Sequence, residues 1–254
     1  MTASSPAAPR LIAIAGIAAA TARASAGLRL AADRITPDIP LASCLLPLRD
    51  MAGTAGTAAA WLTIAAGMAA AIVPAIPPEA DNGGLDAACR LLRAAARHTG
   101  RASDEAARTH RTARDLVARA GPGPAPADTH LLARHASVTR VWAGDLRDEF
   151  ERVRHLPPGA PLALLTELST AGEDLAVITE NLSRACGQLG NGVADAHERY
   201  ERTYQARRRA TDAAARLANA RDALKRSAND TRQVHRILTA ADETVRRITR
   251  QAAG

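Results

Sequence analysis

The chain has 254 residues, enough for one or two domains with a sizeable core. Only five are aromatic (Trp61, Trp142, Phe150, Tyr200 and Tyr204), alanine is very abundant and β-branched runs are absent, which argues against a sheet and for closely spaced helices, since alanine has the best intrinsic helix propensity. The formal charge is +7 and arginine carries nearly all of it, Lys225 being the only lysine; this permits nucleic acid or anionic lipid as a partner without requiring either, and an arginine excess beside so much alanine also fits a GC-rich coding sequence.

Residues 1–10 read as a leader, followed by an apolar run from Leu11 to Ala22. Its length, Arg10 before it and Ala24-Ser25-Ala26 after it resemble a secretory signal. A single arginine is a thin basic region, however, and Arg23 abuts the run, so an amphipathic helix continuing through Leu28 and Leu30 to about Arg34 is the competing reading. A cytoplasmic or membrane-associated location is favoured over secretion. Pro37 and Pro40 are expected to break this helix, and Pro47 to end a short apolar piece, Leu41 to Leu46.

No charged residue occurs between Asp50 and Glu79. Met51 to Val73 is long enough to cross a bilayer, which takes about 20 residues. Its strongly apolar members are few: Leu62, Ile64, Met68, Ile72 and Val73, with Trp61 as the aromatic. Alanine, glycine and threonine make the rest close to neutral for insertion. The segment therefore admits two readings, a marginal membrane-spanning helix and a buried core helix, and Gly53, Gly56 and Gly67 would admit a close neighbour in either. The linker from Pro74 to Gly84 divides an Ala-rich apolar helical region, 1–78, from an elongated helical bundle or coiled coil, 79–254.

The next helix is expected over Leu85 to Ala120, with Leu85, Ala88, Leu92, Ala95, Ala102, Ala106, Ala113, Leu116 and Ala120 on one face and a kink or interruption at Gly100. Gly121 to Pro126 ends it, and Asp128 or Thr129 caps a helix to about His155 that Pro157 to Pro161 ends in turn. Short connections favour antiparallel neighbours. Within the second of these helices Trp142-Ala143-Gly144 is similar to the W-x-G turn of small secreted helical-hairpin proteins. The resemblance covers three residues, and the Y-x-x-x-D/E element of that family is not matched: Tyr200 is followed four residues on by Tyr204, and Tyr204 by Arg208.

From Leu168 to Ile248 one heptad frame holds for about eighty residues. One seam reads Leu168, Leu175, Leu182, Leu189, Ala196, Thr203, Ala210, Leu217, Leu224, Thr231, Leu238 and Val245; the other runs from Ala171 and Ile178 to Ala241 and Ile248. Three glycines within Gly187 to Gly192 each cost about 1 kcal/mol in a helix interior, so a break is expected there, followed by one helix from about Val193 to Gln251. The flanking positions hold Val193, Arg207, Arg209, Ala214, Arg216, Arg221, Ala228 and Ile237. Apolar and like-charged flanks favour an antiparallel bundle over a parallel zipper, and a homo-oligomer stays open.

No phosphate-binding loop, dinucleotide fingerprint, H-E-x-x-H or G-x-S-x-G is present. Cys44, Cys89 and Cys186 are far apart, and the seven histidines fall singly on separate turns. The expectation is a non-enzymatic helical interaction or scaffold protein with no catalytic, cofactor or metal residues, its protein partner unidentified and a membrane tether through 51–73 in view. The alternative is a basic nucleic-acid-binding accessory protein using Arg199, Tyr200, Arg202, Tyr204, Arg207, Arg208 and Arg209, where arginines would hold phosphates and the two tyrosines, one turn apart, would stack on bases or on a neighbouring helix.

Overall fold

A computed structural model describes residues 41–75, 82–120, 160–200 and 204–252. They form four helices: α1 (Leu41–Ile72, continued by a 3-10 turn at Val73–Ala75), α2 (Asn82–Ala120), α3 (Ala160–Tyr200) and α4 (Tyr204–Ala252). Among the described residues there is no strand, and the fold is an all-α bundle as the composition implies. The apolar run from Leu11, the helix expected up to His155 and the Trp142-Ala143-Gly144 motif lie outside the described residues.

Each helix packs chiefly on two others: α1 on α2, α2 on α4, α4 on α3 and, more thinly, α3 on α1. The contacts set a register in which all neighbours are antiparallel. Along α1–α2, Gly53 lies against His110 and Thr63 against Thr99. Along α3–α4, Ser169 meets Thr239, Thr179 meets Thr231 and Ser183 meets Arg221. Between α2 and α4, His98 meets Asp230 and Arg119 meets Asp212. It follows that α2 and α3 point the same way across the core, and that Ala120 and Ala160 lie at opposite ends of the bundle, about 55 Å apart at 1.5 Å per residue.

One continuous core joins all four helices. The heptad seams supply its α3–α4 half: Leu168, Leu175, Leu182, Leu189, Leu217, Leu224, Leu238 and Val245 are fully buried, with Ile178, Ala185, Val234 and Ala241 beside them. The face read on α2 is buried as expected from Leu85 and Leu92 to Ala113 and Leu116, whereas Ala120, the last residue of the helix, is exposed because the face runs out at the helix end. Each leucine removed from water in this way contributes about 1.5–3 kcal/mol, and alanines between them let the helix axes come close.

Three expected interruptions are absent. α3 runs unbroken through Gly187, Gly190 and Gly192, and two of these glycines fit α4 closely: a Cβ on Gly187 would stand 3.0 Å from Arg221 Cδ, and one on Gly190 3.4 Å from Leu217 Cβ. Burial of Leu182, Cys186 and Leu189 on the same stretch offsets the propensity cost. The chain reverses instead between Tyr200 and Tyr204, where Thr203 takes a position of the leucine seam and Arg199 one of the other apolar seam, so the single long helix from Val193 to Gln251 becomes the end of α3 and the 49 residues of α4. α2 likewise passes through Gly100, which leaves room for the methyl of Thr63. Pro47 sits inside α1; it leaves only the carbonyl four residues earlier without its helical donor, near the helix start where the loss is least disruptive.

Candidate functional site

α1 is a helix of small residues whose polar groups are returned to its own backbone. The hydroxyls of Thr54, Thr57 and Thr63 donate to the carbonyls of Asp50, Gly53 and Ala59 at 2.8–3.0 Å, so they can be enclosed without an orphaned donor. Thr63 also meets Thr99 Oγ1 at 2.8 Å, Ser103 donates to the Gly56 carbonyl at 3.0 Å, and His110 Nδ1 contacts the Arg49 carbonyl at 2.8 Å. Gly53 makes room for that imidazole, since a Cβ there would come within 3.2 Å of Nδ1.

Leu45–Ala71 is the one helix among the described residues long and apolar enough to cross a bilayer, yet more than half of it is enclosed by the bundle. Of the residues singled out for a membrane segment, Trp61, Leu62 and Val73 are buried, Met68 is half-buried and Ile64 is 46% exposed; the side chain of Ile72 lies outside the described residues. Ile64 and Trp61 border an open groove of about 460 Å³ between α1 and α2, which His110 and Arg111 also line. Trp61 Nε1 is buried with no acceptor among the described residues.

Midway along the bundle a polar level crosses three helix pairs. Thr63 meets Thr99 between α1 and α2, and Thr179 meets Thr231 at 2.8 Å between α3 and α4. Between α2 and α4, Asp230 accepts from Arg101 at 3.3 Å and contacts His98 Nδ1 at 2.9 Å. Thr99, Thr179 and Thr231 are fully buried, and each also bonds a carbonyl of its own helix; a sliding helix would keep those bonds but lose the interhelical Thr63–Thr99, Thr179–Thr231 and Arg101–Asp230 contacts. The level thereby fixes axial register in a core whose alanines alone would tolerate a slip.

Outside the core, charge is segregated by helix. α2 carries eight arginines against four acidic residues, and α4 eleven arginines and Lys225 against five. α3 carries six acidic residues against two arginines, and α1 only the Arg49–Asp50 pair. Because α2 and α4 are neighbours, their excess positive charge falls on one side of the bundle. Part of it is neutralised: Arg101 by Asp230, Arg108 by Glu105, and Arg119 and Arg216 by Asp212. Arg232 and Arg184 converge on Glu180 of α3, whose carboxyl the hydrogen bond from Arg232 holds below its ordinary range. Arg90, Arg93, Arg97, Arg111, Lys225, Arg226, Arg236 and Arg247 are exposed and have no ion pair among the described residues.

The site expected at Arg199–Arg209 straddles the reversal between α3 and α4. Arg199 and Tyr200 end α3, Tyr204 and Arg207 open α4, and the side chains of all four, with the whole of Arg202, lie outside the described residues. Arg208 and Arg209 are exposed. Arg90, Arg93 and Arg97 are not among the site residues expected from the sequence. Their spacing of three and four residues puts them on one helical face, a signal that was present; that α4 would lie beside that face was not.

Among the described residues no group of three or more His, Cys, Asp and Glu is placed to hold a metal ion. Cys89 and Cys186 are buried free thiols, and burial pushes Cys186 up to about 12. Compared with family models, curated proteins and solved structures, the chain matches none.

Proposed function

We propose that this chain is a non-enzymatic helical interaction protein whose partner-facing surface is the basic side made by α2 and α4. The observation that carries the reading is the segregation of charge: apolar seams of the four helices face one another, while the excess arginine is collected on one side and the acidic excess on α3. A surface of one sign steers and holds partners of the other. The experiment is retention of the full chain on a heparin matrix. The reading predicts elution only at raised salt, and earlier elution for a triple variant Arg90→Gln, Arg93→Gln, Arg97→Gln than for Glu173→Gln on α3; passage through the matrix at low salt contradicts it.

A membrane tether through 51–73 is the weaker reading. Insertion of α1 would strip the apolar face of α2, including Leu85, Leu92 and Leu116, of its cover. Release of the chain into the soluble fraction by carbonate extraction is the expected result; retention with the membranes would favour the tether.

A further inference from the structure

We infer that the α2–α4 side binds the phosphate backbone of double-stranded nucleic acid, an inference that rests on the proposed function and names the partner class. Three observations select this polyanion.

The first is the cation type and its layout. Guanidinium groups match phosphate oxygens with paired donors and stay charged at any pH the protein meets. Arg90, Arg93 and Arg97 stand on one face of α2, while Lys225, Arg226, Arg236 and Arg247 are distributed along the antiparallel α4. Two straight helices more than 50 Å long, at about 1.5 Å per residue, hold these charges in a rod-like array. A duplex offers one phosphate charge per about 1.7 Å of its axis, so such an array meets several phosphates at once.

The second is what this side lacks. A helix that settles into a membrane surface places large apolar side chains beside its cations. The two exposed large apolar side chains among the described residues are Ile64 on α1, which shares a groove with Arg111, and Val177 on α3; neither is on the helices that carry Arg90, Arg93, Arg97, Arg236 and Arg247. Single strands are held by aromatic platforms. α2 has no aromatic residue, and α4 has only Tyr204, at its first position. Charge without apolar or aromatic contacts suits a stacked, paired duplex.

The third is orientation. The acidic residues of α3, including Glu173, Asp174 and Glu180, lie on the helix that packs chiefly against α4 and α1, and repel the same partner from that side. The duplex therefore has one approach.

The test is fluorescence anisotropy with a labelled 20-base-pair duplex and the full chain over a salt series, with a single strand of equal length, phosphatidylserine vesicles and polyglutamate as competitors. The logarithm of the affinity is expected to fall linearly with the logarithm of salt. Replacing Arg90, Arg93 and Arg97 by Gln is expected to lessen the slope by about 2.7, at about 0.9 per phosphate contact. A second variant on the other helix, Arg236→Gln with Arg247→Gln, is expected to lessen it by about 1.8 by the same rule; circular dichroism verifies that both variants keep the helix content of the parent. The duplex is expected to outcompete every other polyanion. Absence of duplex binding at low salt, an unchanged slope in both variants, or stronger competition by vesicles, single strand or polyglutamate would overturn the inference. Heparin retention that persists while duplex binding fails leaves the proposed function standing and removes only this partner.

Discussion

Two glycine-to-alanine substitutions separate the intrinsic cost of glycine from its use at a close helix crossing. Gly67 is exposed on α1, and a Cβ there meets nothing within 4 Å. Alanine at this position adds helix propensity without a clash, so Gly67→Ala is expected to stabilise the protein by about 1 kcal/mol. Gly172 is buried where α3 meets α4, and an added Cβ would stand 3.1 Å from Leu238 Cδ1 and 3.3 Å from His235 Cα. Carbon atoms prefer a separation of about 3.5–4.0 Å. Leu238 is fully buried and His235 Cα is main chain, so the two helices must part by a few tenths of an ångström. Overpacking of this kind costs about 1–3 kcal/mol, against the same gain in propensity of about 1 kcal/mol. Gly172→Ala is thus expected to fall between neutral and about 2 kcal/mol destabilising, which leaves it about 1–3 kcal/mol below Gly67→Ala. Urea unfolding of both variants measures the difference, and an unchanged denaturant slope shows that the unfolded state is not responsible. If Gly172→Ala were as stabilising as Gly67→Ala, the close approach of α3 and α4 would be refuted.

Other consequences are open to direct measurement. Glu167 has a buried Oε2 with no partner among the described residues, and burial raises its carboxyl above the ordinary 4.5. As pH rises through 4.5 the unfolded chain ionises first, so Glu167 withdraws stability until the folded carboxyl has titrated as well. Glu167→Gln is accordingly expected to match the parent in urea unfolding below 4.5 and to exceed it increasingly above; equal stability at neutral pH would show that the carboxyl is well solvated. Glu180 has the opposite sign: its stabilising bond from Arg232 is present above the ordinary carboxylate value and lost as pH falls, so Glu180→Gln should weaken the protein at neutral pH and converge with the parent in acid. Cys186, fully buried with its thiol pushed up to about 12, is expected to resist dithionitrobenzoate at pH 8 in a Cys44→Ser, Cys89→Ser background until denaturant is added. Rapid labelling of the native protein would place that thiol at the surface.

The all-α class, the buried face of α2 and both seams of α3 and α4 could be read from periodicity, because a heptad or helical repeat reports which side of a helix is turned inward. Where the helices end was less legible. Gly187 and Gly190 look like breakers until α4 is known to lie 3–4 Å from where a Cβ would stand, and Pro47 looks like a stop until its place near the helix start is known. The turn at Tyr200 to Tyr204 carries no glycine or proline; its only trace was the loss of leucine from the seams. The same limit governs the candidate surface. Arginines at 90, 93 and 97 declare a face of α2, but which helix shares it depends on a ring order, α1 next to α2, α2 next to α4, that no local pattern encodes. The uncharged run at Met51 to Val73 was ambiguous for a related reason: alanine and glycine suit a close helical neighbour in lipid or in a bundle, and here that neighbour is the charged, amphipathic α2.

The apolar seams of the bundle close on one another within one chain, leaving charge as the outward surface. Light scattering of the full chain, followed over a range of concentrations, tests this most directly. A constant mass of 26.5 kDa is the predicted result. A mass that doubles with concentration would mean that an apolar face is completed by a second copy, and would contradict the closed bundle.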